Sequence, residues 1–381
     1  MSHYVVLSIL FLHLNSQNLN NNLIKIKIMK KIFTLLVLLI SFNLFAQEEI
    51  KEKVEKQDET EKKFTINGSL DAYFRANLNA PNDENAVAPG SSFANLPGFA
   101  LGMANLVIGY EGEKVGFVAD LVYGPRGEDA TFLSPSLRPG GSSNIVNQLY
   151  AYWNVSDKVK LTLGNFNTFL GYEVISPTAN FNYSTSYLFS YGPFSHTGLK
   201  ADIALTEDFS LMLAVMNPTD ATEYNPTGEY AFGAQLGYAD QYLNFLLDDG
   251  AYEIDYTGGF DLTDKFFLGI NAALYNNGDN DDEAGFAGAA LYPQYSTSDK
   301  LSFGLRAEYF VETGNFGAIG TGIKDSSIFA TTLTANIKVG DLTIIPELRL
   351  DSGSDNFTID TDLNPQKSLS SFVLAAVYKF D

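Results

Sequence analysis

Phe64-Thr65-Ile66-Asn67-Gly68-Ser69-Leu70-Asp71-Ala72-Tyr73-Phe74-Arg75-Ala76-Asn77-Leu78-Asn79 alternates for sixteen residues between an apolar or small set and a set that is mostly polar. A period of two marks a strand with two unlike faces. Sixteen residues exceed the five or six typical of a globular strand. A tilted strand that crosses a bilayer needs only about 9–11, with one face on lipid and one on water. Working outward, the same alternation returns at Val115–Tyr123, Leu149–Val155, Tyr230–Tyr238, Leu301–Tyr309 and Phe372–Phe380.

The connections between these runs alternate in length. Short turns fall at 111–114, 156–158, 206–208, 239–241, 263–265, 296–300 and 340–341, several of them built on Ser/Thr-x-Asp or Asp-Lys chemistry that suits tight turns. Longer connections span 80–97, 125–146, 170–193, 217–228, 276–283, 312–327 and 352–367, with one short exception at 248–251. Seven short turns and eight outer loops give 16 strands, the even count of a closed transmembrane antiparallel β-barrel with short periplasmic turns and longer extracellular loops. Pro293 and the short loops blur the count around 242–262 and 284–296. A soluble β-sandwich, the competing all-β fold, would have shorter strands and no regular alternation of loop length.

Composition agrees. The 381 residues carry 24 bases against 45 acids, a net charge of −21, with 32 Gly, 29 Phe, 21 Tyr, one Trp and no Cys. The absence of cysteine excludes disulfides, thiolate metal sites and a lipoprotein anchor. The acidity argues against a nucleic-acid partner, which needs a basic face.

Met29-Lys30-Lys31, the apolar run Ile32–Phe45 and Ala46 before Gln47-Glu48-Glu49 have the layout of a secretory signal, so residues 1–46 read as a signal peptide cleaved after Ala46. The Asn-rich residues 1–28 suggest that Met29 is the true start. Residues 47–63 hold seven acids and five lysines and cannot bury a core, so they read as a charged periplasmic tether, with the barrel over 64–381. From Gln47 on, the imbalance widens to −25, of which the eight outer connections hold −14.

Individual motifs then gather into a resemblance. Asn147–Trp153, Leu163-Gly164-Asn165-Phe166 leading into Gly171–Ile175, Tyr183–Tyr187 followed by Pro193–Gly198, Leu291-Tyr292 before the Ser298-Asp299-Lys300 turn, Arg306–Phe310 and Pro346–Asp351 occur in an order that resembles the OmpL-like β-barrel porins of Gram-negative bacteria. The resemblance covers nearly all of 64–381 and implies an outer-membrane pore. Tyr378-Lys379-Phe380 resembles the C-terminal signal read by the barrel-assembly machinery, although Asp381 follows the Phe. Outer-membrane lipid and lipopolysaccharide, small hydrophilic solutes, that machinery and a homotrimer are the partners this reading implies; no cofactor is expected.

A barrel of about 16 strands is wide enough for an aqueous channel. The residues assigned to its inner wall are Asp71, Arg75, Lys160, Lys200, Asp202, Arg306, Glu308, Glu347, Arg349 and Asp351, together with Asp120, Gln148, Glu253 and Asp255. Both signs suit a transverse field that admits hydrated solutes, with a modest preference for cations. Equally, Arg306/Glu308 and Glu347/Arg349/Asp351 read as a wall of mutually paired charges that stiffens the barrel. The 24-residue connection 170–193 is aromatic and nearly uncharged, with Tyr172, Glu173, Phe181, Tyr183 and Tyr187. Such a loop is expected to fold into the lumen as a constriction or to cap the mouth.

Other chemistries are less well supplied. Ser195-His196 would have to serve an esterase, but neighbours in a strand point to opposite faces and no G-x-S-x-G elbow exists. Gly317–Gly322 lacks phosphate-loop spacing and a following helix. Asp279–Glu283 starts like a calcium loop, but Ala284 stands where glycine is needed and no acid closes it. A non-conducting barrel acting as surface receptor, adhesin or structural protein is the remaining class; its mark would be a plugged lumen.

Overall fold

The computed structural model describes residues 63–131, 143–223, 225, 227–279 and 283–380. The signal peptide, the proposed start at Met29, the tether up to residue 62 and residues 280–282 of the calcium-like run lie outside the described residues.

Sixteen strands close into one antiparallel barrel: β1 (Lys63–Asn77), β2 (Gly98–Glu111), β3 (Val115–Tyr123), β4 (Val146–Ser156), β5 (Val159–Asn167), β6 (Ser195–Ala204), β7 (Phe209–Met216), β8 (Ala231–Tyr238), β9 (Gln241–Asp248), β10 (Ala251–Thr263), β11 (Phe266–Asn276), β12 (Gly285–Ser298), β13 (Leu301–Thr313), β14 (Ser327–Val339), β15 (Leu342–Gly353) and β18 (Ser368–Phe380). The two-residue strands β16 (Thr358–Ile359) and β17 (Pro365–Gln366) form a small ladder in the last outer loop. Among the described residues there are also two short helices, α1 (Pro125–Ala130) and α2 (Tyr187–Tyr191), and a 3-10 turn at Ser143–Ile145. Every barrel strand pairs with the next barrel strand in sequence, and β1 closes the ring on β18, with Gly68 opposite Phe380 and Asn77 opposite Ser371. Closure leaves no sheet edge unpaired, which a chain in hydrocarbon requires.

The opening stretch forms β1 as its period demands. Leu70 is 53% exposed on the outer face, whereas Asp71 and Arg75 are buried inside. The strand stops two residues short of the expected end because the Asn77 amide donates to the carbonyls of Pro81 and Val87 and turns the chain inward. Pro293 and Pro346 sit inside β12 and β15. Pro293 keeps its register with Leu268, while the β12–β13 ladder skips from Leu291/Ala307 to Gln294/Gly304. The β14–β15 ladder likewise skips from Thr334/Glu347 to Ile337/Ile344. Each proline thus stands at a local gap, where its missing N–H breaks little.

The apolar distribution is inverted relative to a soluble protein. Phe99, Leu101, Leu163, Leu243, Phe303, Leu333 and Leu374 are exposed on the outside. The packed core lies inside the ring, where wall residues such as Phe286, Phe310 and Ile328 meet Tyr187 and Leu188 of the segment between β5 and β6. Val373, Val377 and Ile345 meet Tyr183 in the same way. The inner wall is thus apolar where the inserted chain packs on it and polar along β1, where Ser69, Asp71, Arg75 and Asn77 point inward.

Candidate functional site

Residues 168–194, between β5 and β6, enter the barrel and reach the middle of the wall. The register fixes that depth, because their partners Asp71, Arg306, Glu308 and Glu347 lie in the central parts of β1, β13 and β15. The only regular structure in this segment is the single turn of α2, so its backbone cannot satisfy its own polar groups. Unpaired buried amides are costly, and irregular chain at membrane depth survives only against protein or a water-lined cavity. The wall charges meet that requirement.

The Glu308 carboxylate accepts from the backbone N–H groups of Tyr187 and Leu188 at 3.0 and 2.8 Å. Glu347 accepts from the N–H of Tyr183 at 2.9 Å, from both the N–H and the hydroxyl of Ser184, and from Thr334. Asp255 accepts from Gly171 N–H at 3.0 Å while Asn244 and Asn271 hold its two oxygens. Arg306 donates to Glu173 and to the Ser184 carbonyl, both at 2.6 Å. Arg349 donates to Asp351 at 2.7 Å and to the Thr185 carbonyl at 2.9 Å. Glu173 in turn accepts from Ser186 N–H at 2.7 Å, and the Ser186 hydroxyl caps α2 by accepting from Phe189 N–H.

The segment's aromatic rings fill the remaining space. Tyr172 stacks on Tyr292 with centroids 4.3 Å apart, over Gly269, where a Cβ would collide with its hydroxyl. Phe181 lies over Gly304 in the same manner. Tyr183 donates to Asp71, and Tyr187 donates to Asp351 at 3.1 Å. The Tyr191 hydroxyl lies 2.8 and 2.7 Å from the carbonyls of Gly90 and Ala318, which ties the segment to the first outer loop and to the glycine-rich loop Gly317–Gly322.

The ten wall residues expected along a pore therefore divide. Asp71, Arg75, Arg306, Glu308, Glu347, Arg349 and Asp351 are buried at 5% exposure or less. Lys160 is exposed, and Lys200 and Asp202 are partly so, paired at 3.3 Å on β6. The paired-charge wall expected on β13 and β15 takes a different form: among the described residues Arg349–Asp351 is the ion pair within these two strands, and Arg306 reaches across to Glu173 of the inserted segment. Arg126 is a further buried cation of the site, one that the sequence pattern does not single out. It lies at the start of α1, donates to the carbonyls of Ile175 and Tyr183, and sits 4.6 Å from the Phe93 ring centroid. In sequence it is indistinguishable from Arg138 of the same outer connection, 125–146.

His196 is fully buried between Phe166 and Phe169, with Nε2 3.0 Å from the Thr168 hydroxyl. The Ser195 backbone N–H goes to Asp220, and no hydrogen bond joins the Ser195 and His196 side chains. Among the described residues no group of His, Asp and Glu could hold a metal ion.

Comparison with known proteins follows the same lines. The family model described as "Putative beta-barrel porin-2, OmpL-like" matches residues 63–380. Among solved structures, the outer-membrane channel DcaP of Acinetobacter baumannii superposes with a TM-score of 0.56 at 10% identity, over 86% of this chain and all of that one. Salmonella typhi OmpF in complex with daunomycin gives 0.54 at 13% identity over 86% and 100% of the two chains. The anion-selective porin of Comamonas acidovorans gives 0.53 at 12% over 84% and 100%. A comparison with curated proteins finds no match.

Proposed function

Since the chain belongs to the OmpL-like family of β-barrel porins, we propose that it sits in the outer membrane and carries small hydrophilic solutes or ions by passive diffusion past the inserted segment. One observation carries this reading. At mid-depth residues 168–194 are anchored to β1, β10, β13 and β15 and also to β6 and β8, whereas nearer the short turns of β5 and β6 the inner wall keeps Lys160, Lys200 and Asp202 within reach of water. The buried charges thus act as anchors of a constriction, and the water-accessible three face the solute path. The −14 carried by the outer connections gives the mouth a modest preference for cations. The signal peptide 1–46, contact with lipopolysaccharide, insertion by the barrel-assembly machinery and association into homotrimers belong to the same proposal.

Purified protein in planar bilayers should show discrete conductance steps, with a reversal potential of cation-selective sign under a potassium chloride gradient. Liposomes containing it should swell in small sugars. Silent bilayers together with liposomes that do not swell would favour the non-conducting receptor or structural barrel.

A further inference from the structure

At the outer end of β9–β11, a cavity of about 280 Å³ is bounded by the carboxylates of Glu253, Asp248 and Asp220 and by four aromatic residues, Tyr191, Tyr252, Tyr275 and Phe316. Glu253 is 3% exposed and, among the described residues, no donor reaches its carboxylate; its charged neighbours are Asp255 and Asp220, both acidic. Asp248 takes Thr219 N–H on Oδ2 at 2.8 Å, and Asp220 takes the N–H groups of Phe194 and Ser195 on Oδ1 at 2.7 and 2.8 Å. Asp248 Oδ1 and Asp220 Oδ2 therefore have no donor among the described residues. No Lys, Arg or His lines the cavity. A buried carboxylate is stable only when paired or protonated, so a cation that entered this cavity would take the place of a proton.

The rings say which kind of charge fits. Phe316 packs on Tyr191 with centroids 5.7 Å apart and on Tyr275 at 5.8 Å, so one end of the cavity is an aromatic corner. Aromatic faces attract cations, best those with a diffuse, weakly hydrated charge. A compact divalent ion would want converging oxygens, and among the described residues no metal-ligating group forms. We infer that this cavity binds a small organic cation carrying an ammonium group, its charge against Glu253 and Asp248 and its carbon skeleton against Tyr191, Tyr275 and Phe316.

Calorimetric titration of the full-length protein in detergent with choline, and with neohexanol, in which carbon replaces the quaternary nitrogen, tests this without requiring conduction. The porin reading can thus fail while the site stands, or the reverse. Choline should bind, and neohexanol should bind about tenfold more weakly or worse. Glu253→Gln, of equal size, should weaken choline by about tenfold or more. Glu113→Gln, which removes the same charge from a short turn at the opposite end, should leave choline binding unchanged. Equal binding of neohexanol overturns the proposal, as does a choline affinity in Glu253→Gln equal to that of the parent or of Glu113→Gln. Should Glu253→Gln fail to fold, the choline–neohexanol comparison on the unaltered chain still decides.

Discussion

Arg306 concentrates the logic of the site in one side chain. Its guanidinium ties Glu173, the Ser184 carbonyl and the Thr332 hydroxyl together at complete burial, joining two parts of the inserted segment to adjacent wall strands. Desolvating such a pair costs about as much as the attraction returns, but breaking it strands a buried charge. Arg306→Ala should therefore lower unfolding free energy by roughly 3–5 kcal/mol. The double variant Arg306→Met with Glu173→Gln should recover most of that loss. Denaturant titration followed through Trp153, the one tryptophan, reads both; a double variant no more stable than Arg306→Ala would show that the pair is not the unit of stability. Asp220 sets a pH dependence. Burial pushes its carboxyl up to about 6 despite the N–H groups of Phe194 and Ser195. A carboxyl whose folded-state value lies above its unfolded one favours folding below roughly pH 4 and loses that contribution as pH rises through about 6. Stability should decline across that window, less steeply in Asp220→Asn; equal slopes in the two proteins would remove Asp220 from the account.

At the scale of the element, the inserted segment is held by polar contacts at many points, yet it has little structure of its own. Replacing 176–190 by a short Gly-Ser linker should leave the barrel closed, because no strand pairing involves those residues. It should raise single-channel conductance on the order of twofold, as expected when a filled cross-section opens in a barrel this wide. Unchanged conductance in planar bilayers would mean that the segment does not set the narrowest point. How much of this was legible beforehand differs between wall and segment. The strands were legible because a period of two is local: Phe64, Ile66 and Leu70 declare their face without reference to anything distant. That an aromatic, nearly uncharged loop would leave solvent was legible for the same reason. The partners were not, since Arg306 and Glu173 are 133 residues apart and meet only through the path of the inserted chain. Arg126 stayed hidden because nothing in Pro125-Arg126-Gly127-Glu128 distinguishes a buried guanidinium from a solvated one.

The interior is filled at mid-depth on every side, by Tyr187 and Leu188 against β12–β14 and by Phe169 and Leu170 against β7–β9, while Lys160 and Lys200 keep contact with water towards the short turns of β5 and β6; this difference in depth predicts where solute passes. Because the chain has no cysteine, it needs no background mutations for thiol mapping. Lys160→Cys and Lys200→Cys should react within minutes with a membrane-impermeant, charged methanethiosulfonate and change conductance in the same protein. Thr332→Cys, at a fully buried wall position under Arg306, should stay unreactive while the segment is in place. Combined with the 176–190 replacement, Thr332→Cys should become reactive, because the same surface then faces water. The four measurements separate the alternatives. Reactive Lys160→Cys with no conductance change would place that residue off the path. Reactive Thr332→Cys in the intact chain would mean that the segment leaves the wall often enough to be a gate instead of a fixed constriction.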